Sequence, residues 1–356
     1  MTPEEKLNRL FASFGYRKFR MAKFEEYDLY ASNRDFLTSS QIITFNDLDG
    51  KLLALKPDIT LSIIKSTFGP RRVYYNEMVY RVRDRHYREI PQAGVECIGE
   101  ADPYMEAEVI ALAANALKVI EENCILRISD VSLLDTLVET LEVPESYREY
   151  VIEAMASKRA DYLRGLGETG ILCRQNASVL ASLSELYLPL KQGVREVGTI
   201  VSSEELKPAL DHLARLCDIL EGFGVLEKAY LDLSLINSMD YYNGIIFQGA
   251  VSTIPVPVLS GGRYDRLCEK MGKPFGAVGF AVYMDAVENR RRQNRHYDGD
   301  ILILYTKQDD PCVLAGTVRK LTEQGYKVLA AKKQDAEENR WKRVMTLEEA
   351  VQEAKL

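Results

Sequence analysis

The stretch VYRVRDRHYREIPQAGVE, Val79–Glu96, decides the fold. Its first arm belongs to RRVYYNEMVYR (71–81), rich in β-branched and aromatic residues, and reads as a strand. Its second arm belongs to REIPQAGVECIG (88–99) and reads as the returning strand, with Pro91 predicting a sheet edge or a bulge. Working outward, KPDITLSIIKST reads as a helix with Asp58 near its start. QIITFNDLDGKLLAL (41–55) alternates about Asp49-Gly50, a hairpin signal because the tight turn asks for φ > 0 at both central residues. Residues 104–122 carry apolar residues at helical spacing, and ILRISDV (125–131) reads as a strand.

Beyond this point the chain changes character. Residues from 132 to about 225 are almost continuously helix-like, which predicts a helical insertion. Strand chemistry returns from 228 with KAYLDLSL and MDYYNGIIFQGAV, then SGGRYDRL, read as a glycine turn, then AVGFAVYMDAVENRRR, a strand running into a helix. After a charged linker, GDILILYTK, DPCVLAGTVRKLTEQGY and KVLAA predict one β-α-β unit, closed by a helix in TLEEAVQEAKL. The fold class is therefore α+β. A core at 1–290 holds the insertion, and a small α/β unit occupies 297–356. At the N-terminus, Thr2, Pro3 and Glu5 suit the cap and first turn of a helix running from Pro3 to about Ser13.

Composition excludes some classes. Of the 356 residues, 46% are apolar and 28% charged, ordinary for a soluble globular protein. No apolar run is long enough for a signal peptide or a membrane span, so the expected location is the cytoplasm. The 6 cysteines are scattered without a C-x-x-C pair, and the 3 histidines lie far apart, so neither a disulfide frame nor a metal site is expected. A net charge of −7 argues against nucleic acid as a partner, moderately, since Arg71–Arg72 and Arg290–Arg292 are local basic patches.

By chemistry alone, Asp58, Gln92 and Glu96 suit an ammonium or an imidazole N–H, and Arg81 suits a carboxylate. Tyr241 and Tyr242, alternating on a strand, place one ring toward a pocket and one toward packing. Gly261–Gly262 permits a tight turn or a close backbone approach. Each feature also has a plainer reading: a solvated arginine hairpin, a core tyrosine pair, a helix cap at Asp58, an ordinary turn.

The order of these segments resembles histidyl-tRNA synthetase, a class II synthetase, over roughly residues 8–290. The matching segments are Pro57-Asp58-Ile59-Thr60, Arg81 at the end of the motif 2 strand, Tyr87-Arg88-Glu89-Ile90-Pro91-Gln92-Ala93-Gly94-Val95-Glu96, Asp240-Tyr241-Tyr242, and Gly261-Gly262-Arg263-Tyr264-Asp265. The departures are equally specific. Asn237 stands where that family has the arginine before Asp-Tyr-Tyr, and Ala286 where motif 3 has its phosphate-clamping arginine. Arg83 replaces a motif 2 glutamate, and Ala22 the motif 1 proline.

This pattern, with Lys-Pro-Asp-x-Thr-Leu and Ile-Pro-Gln-Ala-Gly-Val-Glu, resembles the regulatory subunits of ATP phosphoribosyltransferase. The resemblance implies a non-catalytic regulatory role in histidine biosynthesis, without a cofactor or catalytic residues of its own. It implies a class II-type homodimer that joins a short-form catalytic subunit in a hetero-octamer. It also implies an L-histidine effector site at Asp58, Thr60, Arg81, Gln92, Glu96, Tyr241 and Tyr242. The alternative left open is a histidyl-tRNA synthetase-like protein that binds histidine or tRNA.

Overall fold

The structure is a computed structural model. It describes all residues except 34–41, 84, 101, 237–241, 295–296, 298, 333–339 and 356, and the side chains of 83 and 291–294. The chain divides into two compact units, Met1–Val287 and Glu288–Leu356.

In chain order the first unit carries α1 (Pro3–Ser13), β1 (Arg17–Lys18), β2 (Phe24–Glu26), α2 (Tyr27–Ala31), β3 (Thr44–Asn46), β4 (Leu52–Leu55), α3 (Thr60–Lys65), β5 (Arg71–Arg83), β6 (His86–Gly99), α4 (Pro103–Ile120) and β7 (Cys124–Asp130). There follow α5 (Val131–Thr140), α6 (Arg148–Ala156), α7 (Ala160–Glu168), α8 (Arg174–Glu185), β8 (Tyr187–Pro189), α9 (Leu190–Ile200) and α10 (Lys207–Gly222). The unit closes with β9 (Ala229–Asp232), β10 (Ile245–Val251), β11 (Leu259–Arg263), α11 (Asp265–Lys270), β12 (Gly276–Tyr283) and the start of α12 (Met284–Asn294).

The start of α1 follows from its first letters. Thr2 Oγ1 accepts from Glu5 N at 3.2 Å and Glu5 Oε2 accepts from Thr2 N at 2.8 Å, a reciprocal cap ahead of Pro3.

The central sheet has nine strands in the order β1-β5-β6-β12-β11-β10-β7-β9-β8. Its pairings are antiparallel apart from β1·β5 and β7·β9. This is the class II synthetase-like α+β architecture. The insertion is not purely helical: β8 adds a three-residue edge strand, paired with β9.

The decisive hairpin forms with longer arms than the sequence suggests, and Arg85 takes φ 62 at its tip. Pro91 lies at a local sheet edge, without a bulge. Its strand lies between β5 and β12, but the β12 pairing ends at Tyr283↔Gln92, so Pro91 is the first residue beyond that cover. A missing N–H is harmless there. The Asp49-Gly50 hairpin exists as well, but its loop runs from 47 to 51 and only Gly50 has positive φ, at 82°. Asp47 Oδ1 holds that loop by accepting from Asp49 N (2.9 Å) and Lys51 N (2.8 Å).

Gly261–Gly262 is a correction. The pair lies in β11, inside the sheet, and not in a turn. A Cβ on Gly261 would stand 2.4 Å from Gly279 O and 2.6 Å from the Phe247 ring; one on Gly262 would stand 2.7 Å from the Tyr242 ring. Gly261→Ala is expected to cost about 1–3 kcal/mol as overpacking, read as a lowered denaturant midpoint at unchanged m. An unchanged midpoint would refute this tight approach.

Alternate positions sort onto two faces of the sheet. Val95, Phe247, Val278, Phe280 and Val282 join α1, α4 and the insertion helices in one large apolar core. The opposite face carries Gln92, Gly94 and Glu96 of β6 beside Tyr283, Ala281 and Gly279 of β12, and Ser260 and Gly262 of β11. A second apolar cluster, with Ile59, Leu61, Ile63 and Ile64 from α3 and its N-cap, Tyr75 and Tyr264, borders that polar floor.

The second unit has β13 (Gly299–Tyr305), α13 (Pro311–Glu323), β14 (Val328–Lys332), β15 (Trp341–Thr346) and α14 (Leu347–Glu353). Its parallel sheet runs β14-β13-β15. The β-α-β unit and the closing helix are present. The strand β15, which the sequence reading does not contain, extends the sheet on its other side.

Candidate amino-acid-binding site

Glu96 is the centre of the polar floor. It is 2% exposed, and both its oxygens are occupied. Thr60, the first residue of α3, donates its hydroxyl to Oε1 at 2.7 Å, and the Tyr264 hydroxyl donates to Oε2. Gly279, directly opposite on β12, leaves the space: a Cβ there would stand 1.7 Å from Glu96 Oε2. Burial pushes the Glu96 carboxyl up to about 8, against the pull of the Tyr264 and Thr60 hydrogen bonds, and the Asp58 charge adds to the rise.

Asp58 performs the capping role open to it, since its Oδ1 accepts from Leu61 N at 2.9 Å. Its Oδ2 lies 3.9 Å from Arg81 Nη2, and Arg81 Nε donates to Pro57 O at 2.7 Å. Burial raises the Asp58 pKa and the Arg81 charge opposes that rise. Gln92, 7% exposed, lies on the same face as Glu96, with Gly94 between them.

Tyr242 is half-buried, with its ring 6.5 Å from that of Tyr264. It precedes β10, so the expected strand alternation of Tyr241 and Tyr242 does not hold at Tyr242. Tyr241 and Asn237 lie outside the described residues. The structure thus gathers Asp58, Thr60, Arg81, Gln92, Glu96 and Tyr242 on one face.

Several neighbours escaped sequence reasoning. Tyr264 sits in the quoted Gly-Gly-Arg-Tyr-Asp, yet a turn reading hides that it holds Glu96. Burial pushes up the phenols of Tyr242 and Tyr283, and Ser260, on the same face of the sheet, opposes that rise. Tyr75, opposite Gly94, donates to Phe280 O at 3.2 Å. Lys56 is fully buried with its Nζ 3.4 Å from Glu77 Oε2, and burial lowers its pKa.

Chemically, the floor is rich in acceptors (Glu96, Asp58, Gln92), with the Arg81 cation at its rim. That balance suits a small zwitterion whose side chain donates an N–H. Among the described residues no group of three or more His, Cys, Asp or Glu could hold a metal ion, and no helix is long and apolar enough to cross a membrane.

Comparison with known proteins adds the following. A family model for histidyl-tRNA synthetase matches residues 2–287. A protein of Caldanaerobacter subterraneus subsp. tengcongensis named ATP phosphoribosyltransferase regulatory subunit is 31% identical over 298 residues, covering 80% of this chain and 76% of that one. A Geobacter metallireducens protein of the same name is 30% identical over 322 residues, covering 86% and 74%. A solved structure from Bacillus halodurans C, described as ATP phosphoribosyltransferase regulatory subunit/histidyl-tRNA synthetase, superposes with a TM-score of 0.76 at 26% identity, covering 96% of this chain and 92% of that one. The chain therefore belongs to the histidyl-tRNA synthetase family and, within it, to the ATP phosphoribosyltransferase regulatory subunits.

Proposed function

We propose that this chain is the non-catalytic regulatory subunit of a histidine-biosynthetic ATP phosphoribosyltransferase. It binds a separate short-form catalytic chain, raises its activity and transmits feedback by L-histidine. Its own copies pair through the class II-type core, and the whole is a hetero-octamer. The observation that supports this reading is the buried polar set around Glu96, held by Thr60 and Tyr264, with Asp58 and Arg81 beside it.

The pocket roles follow from the chemistry. Glu96 and a tyrosine, Tyr241 or Tyr242, receive the imidazole. Asp58, Gln92 and the lone pair of Thr60 receive the α-ammonium; the Thr60 proton is committed to Glu96. Arg81 turns from Asp58 to the α-carboxylate. Adenylate formation would need cations against the triphosphate, and each one missing costs about 10²–10³ in rate. The chain has Asn237 and Ala286 at the corresponding positions, and Ala286 packs against the large core.

The test is a phosphoribosyltransferase assay with the cognate short-form catalytic chain, with and without this protein, across a histidine titration. Activity that rises with this chain and falls with histidine supports the reading. No change, with no complex on size exclusion, overturns it. Arg81→Ala is expected to raise the histidine concentration for half-inhibition about tenfold with assembly intact, the scale of one charge-assisted hydrogen bond. An unshifted titration would remove Arg81 from the site.

A further inference from the structure

At the end of β11, Arg263 and Tyr264 leave the sheet on opposite faces. Tyr264 turns to the pocket and donates to Glu96. Arg263 turns to the helical side, with Nη1 2.8 Å from Glu106 Oε1 and Nε 2.6 Å from Asp265 Oδ2. Glu106, on α4, is 1% exposed, and its other oxygen lies 2.7 Å from His212 Nε2 on α10 of the insertion. The Arg263 carbonyl accepts from Asn243 N at 3.0 Å, and Asn243 follows the pocket residue Tyr242. Behind Glu106 opens a cavity of about 390 Å³, lined by Asp130, Thr136, His212, Asn243 and Arg263 among others. The seat of α10 on Glu106 therefore borders free space on one side.

We propose that Tyr264, Arg263, Glu106 and His212 form a through-sheet coupling that carries occupancy of the Glu96 pocket to α10, so that the helical insertion reports whether histidine is bound. The inference rests on the reading of that pocket as the histidine site. A ligand N–H that reaches Glu96 competes with Tyr264 for the carboxylate, and the backbone of β11 moves with Tyr264. Glu106 is a buried carboxylate held by two cationic partners, one on each element. Separating either partner leaves buried charge without compensation, so β11 and α10 shift together rather than apart. The Glu106 carboxylate beside it raises the His212 pKa, which favours the cationic form of that partner.

The experiment is amide hydrogen exchange on the full chain, with and without histidine, beside calorimetry on the same samples. In the wild type, histidine is expected to change exchange within Lys207–Gly222 several-fold. His212→Ala is expected to bind histidine within a few-fold of the wild-type affinity and to lose the ligand-dependent change in α10. His212→Lys, which returns a cation to Glu106, is expected to restore it. A purely structural role for His212 would speed α10 exchange equally in both states and leave the difference intact. Histidine binding with an unaltered α10, or a full response in His212→Ala, overturns the coupling alone. Calorimetry with no histidine binding in the wild type overturns the pocket reading and the coupling with it.

Discussion

Glu96→Ala is expected to weaken histidine binding about 100-fold and to abolish feedback at histidine concentrations that fully inhibit the wild-type complex, with assembly unaffected. The magnitude follows from what the ligand loses. Its imidazole would enter a site from which water is excluded, where it and Glu96 share one proton as a charge-assisted pair. A hydrogen bond to a charged group contributes about 1.5–3 kcal/mol, or roughly 10- to 150-fold. The truncation also strips Thr60 and Tyr264 of their shared acceptor, and the site loses its shape.

Glu96→Gln separates these contributions. The amide keeps one carbonyl for Tyr264, and the Thr60 hydroxyl can turn to accept from the amide nitrogen. The fold around Gly279 is thus preserved while the titrating carboxyl goes. Calorimetry should rank wild type above Gln and Gln above Ala, with size exclusion identical for all three. If Glu96→Ala binds histidine as tightly as the wild type, histidine sits elsewhere in the complex.

Much of this site is legible in the sequence because its parts sit in segments of strong local pattern. The Val79–Glu96 hairpin carries β-branched and aromatic residues on both arms, and period-2 alternation fixes which residues share a face once one of them is known. Thr60 and Asp58 lie at a helix start, where composition is informative. What could not be read is where one letter serves two physical ends. Gly261–Gly262 looks like a turn because glycine relieves backbone strain, yet here it relieves crowding between three strands and the Tyr242 ring. With the turn goes the face assignment of the next residues, and so the role of Tyr264.

The short strand β8 is hidden among helices because three residues carry no period. Strand β15 is hidden because Lys342 and Arg343 sit on an exposed edge, where charge is tolerated and apolar alternation is not required. Pro91 does mark a sheet edge, but a local one within an inner strand. The rule against prolines within sheets concerns the ladder bond and not the strand, and at residue 91 β6 has a ladder partner only on the β5 side.

The affinity for histidine is expected to be nearly flat between about pH 6.5 and about pH 8 and to fall on both sides, by up to tenfold per unit. The Glu96 carboxyl, pushed by burial up to about 8, holds a proton through that window, while a free imidazole, with an ordinary pKa of about 6.5, has lost its own. Carboxylic acid facing imidazole and carboxylate facing imidazolium contain the same single proton, so binding in this window needs no exchange with solvent. Below it a proton must be released; above it one must be taken up, and the affinity follows the linkage slope.

The ligand's own ammonium also titrates at high pH, but equally for wild type and Glu96→Gln. The wild-type curve should therefore steepen above pH 8 by one proton relative to the variant; parallel curves would show that Glu96 does not share a proton with the ligand. The same carboxyl acts on the unliganded fold. Its folded pKa stands above the ordinary 4.5, so the folded state holds more protons than the unfolded state between about pH 4.5 and about pH 8. Stability falls as pH rises through that window and levels off above it. Glu96→Gln should flatten that slope, whereas saturating histidine should leave it unchanged between about pH 6.5 and about pH 8, where its affinity does not vary.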